Sequence, residues 1–523
     1  MIESSSPDWL SLLLRDNSTA TELEAYDKYE RSFLPEDNST GLGEFVSKQV
    51  QSLKQPLSKF DEGSLFLFPR SVYDTEDMEK TQSILRYGFS SEESGSNGGK
   101  KPKLMTTNVV GILNFEDSAR DLGMSISITS RFFDGSGAES LADDWFLAYM
   151  MDKVLNFNIL RLDFAADHDG AWRKLLMLMF PVYLKRAMEK GMYRQYVRRE
   201  HNGSRPRGTI DVARHIALNL PFRGTIAYST REYDMDNPVT QLIRHTIEFI
   251  RSDAKFGRQV FRSDDMDTRQ CVQNIELATN GHYSPNDRAK IVYTNQTHPV
   301  RHPLYSEYRD LQHLCLMILT RKGISANNSS KNRVHGILFD CAWLWEEYLN
   351  LLLQRCYASD EYAVKHPRNK DRNKNTNGAQ YFFEGNIGLI YPDFLLFPQT
   401  KGKSTKSAED SPDKENRVVV ADAKYKPEGN VSGEDYKQVL SYMYRFNSHL
   451  GLYLHPANGS KPEDRTLSII GREGCSVAKL GLPVVKDDGD ATYRDYCSTM
   501  AEREEKFLEQ IREKIGSRNS KAN

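Results

Sequence analysis

Apolar residues recur at three- and four-residue intervals in DWFLAYMMDKVLNF and in WRKLLMLMFPVYLKRAMEKGMYRQYV. That spacing predicts helices from about Asp144 onward. Upstream, LMTTNVVGILNF and MSISITSRFF alternate and are rich in β-branched residues, which predicts strands. The block RPRGTIDVARHIALNLPFRGTIAYSTREYDMDNPVTQLIRHTIEFIRSD reads as a turn, a short strand or helix, a strand at TIAYSTREY, and a turn at DMDNP. A helix follows Pro238, with Thr240, Ile243, Ile247 and Ile250 among its candidate buried positions. Residues 258–330 read as helices joined by polar loops, and SANNSSKN (325–332) marks a boundary.

The last third changes character. HGILFDCAWLWEEYLNLLLQRCY predicts an amphipathic helix, and EYAVKH and YFFEGNIGLIYPDFLLF predict strands. A polar insertion, PQTKGKSTKSAEDSPDKEN, precedes the strand RVVVADAKYK. Then come a helix (EDYKQVLSYMYRF), two strands (GLYLHP and TLSIIG) and a charged C-terminal helix. This order predicts a mixed sheet flanked by helices. The fold class is therefore mixed α/β, in three regions: an α+β region over 1–140, a mostly helical one over 141–330, and the α/β region over 331–523.

Length and charge add bounds. At ~100–200 residues per domain, 523 residues fit two or three domains. Lys+Arg number 70 and Asp+Glu 72, so a nucleic-acid face must come from local segregation of charge. The six cysteines (Cys271, Cys315, Cys341, Cys356, Cys475, Cys497) form neither CxxC nor a zinc spacing, and read as reduced thiols. The acidic, polar start lacks the pattern of a signal peptide, and no apolar run reaches the ~20 residues that span a bilayer. A cytoplasmic protein without membrane attachment is the expectation. SSEESGSNGGKKPK (90–103) reads as a linker. GxxxxGK[ST], GxSxG and HExxH are absent, so no nucleotide is expected on this chain.

The chemistry concentrates in IYPDFLLF and VVVADAKYK. Each sets a carboxylate on an apolar run, where an unpaired charge costs several kcal/mol, on the order of an unpaired buried ion, unless it is paired or binds metal. Asp422 and Lys424 lie two apart and face one side of a strand. Asp393 and Asp422 together are hard-oxygen ligands for Mg²⁺, with Mn²⁺ able to stand in. The metal would polarise a phosphodiester, and Lys424 would orient water or stabilise the charge that develops. Asp253-Ala254-Lys255, Asp435-Tyr436-Lys437 and Glu504-Glu505-Lys506 share the triplet form. Only Asp422 follows an unbroken β-type run, Val418-Val419-Val420-Ala421. The competing account is an edge strand with a surface Asp–Lys pair.

Two acids, Glu346 and Glu347, lie in the apolar helix before these strands. Glu346 is a candidate third metal ligand; an exposed helix face is the alternative. Gln438 and Tyr442 lie four apart on one helix face and are placed to turn toward the site. Lys365, Arg368, Lys370, Arg372 and Lys374, with His366 and the opposing Asp371, form a basic stretch before the Asp393 strand. They are candidate DNA-phosphate contacts, or a solvated hairpin loop.

With these residues on the page, the chain resembles the McrC family, the nuclease subunit of modified-cytosine restriction systems. The likeness lies in RGTIDVARHIALNLPFRGTIAYSTREYDMDNPVTQLIRHTI and in the series ILFDCAWLWEEYL, YPDFLLF, VVVADAKYK, YKQVLSYMY. It spans roughly 140–456, and the first hundred residues carry little of it. It implies a PD-(D/E)xK restriction-endonuclease-like fold and Mg²⁺-dependent DNA cleavage. It makes Asp393, Asp422 and Lys424 the catalytic triad, Glu346 the helix acid, and Gln438 and Tyr442 the QxxxY pair. It also implies a McrB-like AAA+ GTPase partner, hexameric in form, whose hydrolysis the subunit stimulates. Self-dimerisation would be one way to cut both strands. Val239-Thr240 follow the DNP turn, where the family has an Asn one turn into the helix. A non-catalytic activator of the AAA+ partner and a stand-alone repair or defence nuclease are the other readings.

Overall fold

The computed structural model describes residues 8–17, 19–20, 65–68, 85–89, 102–117, 122–133, 143–155, 168–222, 224–320, 332–357, 362–366, 380–385, 387–398, 418–427, 429, 431, 433–459, 463–487 and 489–516. Helices and sheets are mixed, as the α/β expectation holds. The chain divides into two compact units, one of residues 1–60, 64–168 and 329–523 and one of 61–63 and 169–328.

The sequence suggests boundaries at 140 and 330, whereas contacts join the N-terminal and C-terminal regions. The segment expected to open a helix with HGILFD is instead the strand Asn332–Asp340. It pairs antiparallel with Val109–Asp117 and parallel with Leu65–Phe68, inside a five-stranded sheet. A short apolar run fits a buried strand as well as a buried helix, so periodicity alone does not separate them. Gly336 permits the pairing: a Cβ there would meet the Ile112 carbonyl oxygen at 2.3 Å. Asp340 then caps the turn into the helix Cys341–Tyr357, accepting from the Trp343 N–H at 2.9 Å. The second join is the helix Trp145–Leu155, where Phe146 meets Trp345 and Tyr149 meets Tyr348 edge to face.

The C-terminal sheet has six strands in the order Tyr362–Lys365, Phe394–Pro398, Val419–Ala423, Leu450–Ala457, Ser476–Pro483, Glu463–Ser468. The first three pair antiparallel, the next two steps are parallel, and the last is antiparallel. The inner strands Leu450–Ala457 and Ser476–Pro483 are buried along their whole length. The second of these, SVAKLGLP, lacks a strand-like alternation because both of its faces are covered. The helix Gly433–Arg445 covers the sheet face that carries Val420 and Asp422. Its Tyr442 packs with Ile390, Leu395 and Val420, and its Val439 and Met443 with Tyr453 and Val477. Each such buried apolar side chain contributes roughly 1.5–3 kcal/mol.

In the other unit, Asn237 caps the helix Pro238–Ser252 through a capping box with Thr240. Thr240, Ile243, Ile247 and Ile250 are fully buried, as their spacing suggests. The helices Met266–Thr279, Arg288–Thr297 and Ser306–Leu319 pack against it. The helix expected to run through YRQYV ends at Met188, and Gln195–Gly203 forms a strand paired with Ile226–Asp234. Its partner is distant in sequence, which local periodicity cannot register. No described helix is long and apolar enough to cross a membrane. The linker at 90–103 lies for the most part outside the described residues, as do the boundary at 325–332, save Asn332, and the charged insertion after Pro398.

Candidate active site

The site is built at the ends of two neighbouring strands. Phe394 pairs with Ala421, which brings the residue before one alongside the residue after the other. The Asp393 carboxylate accepts the Ala423 N–H at 2.8 Å. Asp422 is fully buried, and among the described residues no hydrogen-bond donor is aligned on either carboxylate oxygen. Its close neighbour is Lys424, whose Nζ stands 2.6 Å from Oδ2 as an ion pair. Burial, and then the Asp393 charge, push the Asp422 carboxyl up to about 8, although Lys424 opposes the shift. Burial acts to lower the Lys424 ammonium, but Asp422, Asp393 and Asp435 outweigh it and raise it.

A hydrogen-bonded chain fixes the lysine. Its Nζ donates to Gln438 Oε1 at 3.0 Å, Gln438 Nε2 donates to the Tyr442 hydroxyl at 2.9 Å, and Tyr442 donates to the Tyr391 carbonyl at 3.0 Å. Tyr391 is two residues from Asp393. The helix pair four residues apart therefore ties the lysine to the turn that carries the first aspartate. The Lys424 N–H also donates to the Leu454 carbonyl, which accepts from Trp345 Nε1 at 3.1 Å.

Glu346 is mostly buried, and its Oε1 lies 3.7 Å from His366 Nε2; Glu347 Oε1 lies 3.6 Å from the same nitrogen. His366 Nδ1 donates to the Asp393 carbonyl at 2.8 Å. Burial acts to lower the His366 pKa, while Glu347, the Asp393 carbonyl and Glu346 together raise it. Among the described residues no three His, Cys, Asp or Glu groups form a metal cage. Glu346 thus faces His366 across 3.7 Å. Two carboxylates nevertheless fit Mg²⁺, which takes one or two from a protein and completes its shell with water and substrate phosphate. The buried Asp422 carboxyl, with Lys424 on Oδ2 and a second carboxylate beside it, is the feature a cation would satisfy.

The structure brings together Asp393, Asp422, Lys424, Gln438 and Tyr442, and places Glu346 one contact away through His366. Lys365 lies over the Phe397 ring at 5.9 Å. Arg368, Lys370, Arg372 and Lys374 lie outside the described residues. Two neighbours go beyond the sequence reading. Asp435 does open its helix, yet it also stands 2.5 Å from Lys426 Nζ and 3.7 Å from Lys424 Nζ. His366, grouped by sequence with a basic stretch, turns inward. The other triplets are set differently: Asp253 caps a helix start through the Phe256 N–H at 3.0 Å, and Lys437 pairs with exposed Glu434.

The class is thus a mixed α/β protein with an Asp–Asp–Lys cluster on adjacent strands. The family model described as McrBC 5-methylcytosine restriction system component matches residues 104–456, about two-thirds of the chain. The chain belongs to that family. The match includes every described site residue and begins well before residue 140, so it takes in the strands Val109–Asp117 and Leu122–Thr129. Among solved structures, the chain is similar at 16% identity to a half-complex from the tetradecameric assembly of Thermococcus gammatolerans McrB AAA+ hexamers with bound McrC. That comparison covers 94% of this chain and 99% of the other, with a TM-score of 0.41. The Thermococcus gammatolerans McrBC complex gives 16% identity over 67% of this chain and 89% of the other, with a TM-score of 0.26. No curated protein matches the chain.

Proposed function

We propose that this chain is the Mg²⁺-dependent endodeoxyribonuclease subunit of a McrBC-type restriction complex with a PD-(D/E)xK site. The observation that carries this reading is Asp422: fully buried, without an aligned donor on either oxygen, beside Asp393 and within 2.6 Å of Lys424 Nζ. Asp393 and Asp422 would hold the metal. When bound, Mg²⁺ supplies Lewis-acid polarisation of the scissile phosphate and a lowered pKa for bound water. Lys424 keeps its proton, because three carboxylates face it, and presents a fixed positive charge for the phosphorane. Gln438 and Tyr442 restrict the lysine to one position, so little reorganisation remains at reaction. Lys365 and the basic residues after it would hold DNA phosphates and add salt dependence.

Family membership supports a second part of the proposal: the chain works with an AAA+ GTPase ring of the McrB kind and stimulates its hydrolysis. The retained Asp393, Asp422 and Lys424 weigh against the alternative, a chain that activates the ring without cutting.

The test is plasmid cleavage with methylated and unmethylated DNA, Mg²⁺, GTP and the AAA+ partner, comparing wild type with Lys424→Ala. Cutting by wild type alone, and only with partner and nucleotide, supports the proposal. Cutting without the partner favours a stand-alone nuclease. GTP turnover stimulated equally by both proteins, with no cutting by either, favours the activator.

A further inference from the structure

His366 stands where two strands of the sheet part. The ladder between Tyr362–Lys365 and Phe394–Pro398 ends at the Lys365–Leu395 pair. Beyond it the His366 side chain makes the next contact, from Nδ1 to the Asp393 carbonyl at 2.8 Å. A carbonyl only accepts, so Nδ1 carries the proton in this contact. The ring stacks on Phe394, with centroids 5.0 Å apart and planes at 28°, which fixes its orientation. The side chain is 4% exposed. Its other nitrogen lies against Glu346 and Glu347, at 3.7 and 3.6 Å. Nδ1 is thus committed to the Asp393 carbonyl, while Nε2 faces the two carboxylates at distances longer than a hydrogen bond.

We propose that His366 is a positioning residue for the divalent-metal site: Nδ1 fixes the main chain that carries the Asp393 carboxylate. This rests on the reading of Asp393 and Asp422 as the metal pair. Groups that orient metal ligands from behind typically change metal affinity about 10–100-fold when removed. The reason is geometric: a carboxylate that swings about its backbone spends less time where the cation needs it.

The two contacts can be separated by substitution. Asn places an amide N–H near the position of Nδ1, whereas Gln reaches the position of Nε2 and loses the Asp393 contact. Mn²⁺ binding to the full chain, followed by electron paramagnetic resonance and calorimetry, gives a readout independent of cleavage. The proteins are wild type, His366→Ala, His366→Asn, His366→Gln and, to define the site, Asp422→Asn. Melting in the absence of metal checks that each is folded. The expected result is binding by His366→Asn within about threefold of wild type, and binding by His366→Ala and His366→Gln about 10–100-fold weaker. Wild-type affinity in His366→Ala overturns the proposal, as does His366→Asn binding no better than His366→Ala. If wild type binds Mn²⁺ no better than Asp422→Asn, the metal reading itself falls, and the inference with it.

Discussion

Two carboxylates in the same unit are equally buried and oppositely provided for. Glu504, on the helix Tyr493–Gly516, accepts from the Tyr149 and Tyr348 hydroxyls at 2.7 Å each and from Arg355 at 3.1 Å. Three donors from two other helices converge on it, so its charge is paired and its lone pairs are used. Asp422, among the described residues, has one cation in contact, no aligned donor, and a second carboxylate beside it. The first arrangement joins three helices. The second leaves a buried carboxyl incompletely satisfied, which a fold does not need and a cation site does. Burial alone therefore says nothing of a carboxylate's role; what the surroundings supply to it does.

Substitutions sharpen this contrast. Asp422→Ala is expected to reduce cleavage by roughly a thousandfold or more, while the chain stays folded and still engages its partner, as pull-down and GTP turnover would register. Glu504→Ala has the opposite signature. It leaves two buried hydroxyls without their acceptor, while Arg355 keeps Glu505, and costs about 1–3 kcal/mol per hydroxyl in denaturant unfolding. A comparable loss of stability in Asp422→Ala would erase the distinction.

A pH effect separates the pair again. Folded Asp422 holds its proton up to about 8, whereas the unfolded chain releases it near the ordinary value of 3.8. Between those values the folded state binds more protons, so this group's contribution to stability falls as pH rises through that window. Metal-free Asp422→Asn lacks that slope and melts higher than wild type at pH 8, by on the order of a few degrees. Identical melting of the two across pH 5–8 would mean the folded carboxyl titrates normally, with ~1.4 kcal/mol at stake per pKa unit. Gln438→Ala breaks the chain from Lys424 to the Tyr391 carbonyl and should slow cleavage about tenfold, a net hydrogen bond or so of positioning. At the low end, Lys437→Ala in the look-alike triplet removes an exposed pair with Glu434 and should change stability by less than about 0.5 kcal/mol.

Much of this site can be read from sequence because it is local. Val419–Ala423 is a strand with Asp422 and Lys424 two apart at its end, and Gln438 and Tyr442 are one helical turn apart, so spacing alone puts each pair on one face. The buried row Thr240, Ile243, Ile247 and Ile250 is legible for the same reason. What escapes is set by partners far along the chain. HGILFD becomes a strand because Val109–Asp117 lies beside it. Gln195–Gly203 does so because Ile226–Asp234 does. His366 looks like one more cation in a basic stretch until the Phe394 ring and the Asp393 carbonyl are seen against it. By spacing Glu346 reads equally as a metal ligand or as part of an exposed helix face, and the structure sets it facing that same histidine.

The most direct test of the central claim is Mg²⁺-dependent cleavage of a 5-methylcytosine-containing plasmid by wild type and Asp422→Asn, each with the AAA+ partner and GTP. Asn keeps the shape of the aspartate and removes its charge. The expected result is linearised plasmid with wild type, none above background with Asp422→Asn, and equal stimulation of GTP hydrolysis by both. Cleavage by Asp422→Asn at the wild-type rate would contradict the account, because the buried carboxylate would then have no part in the chemistry.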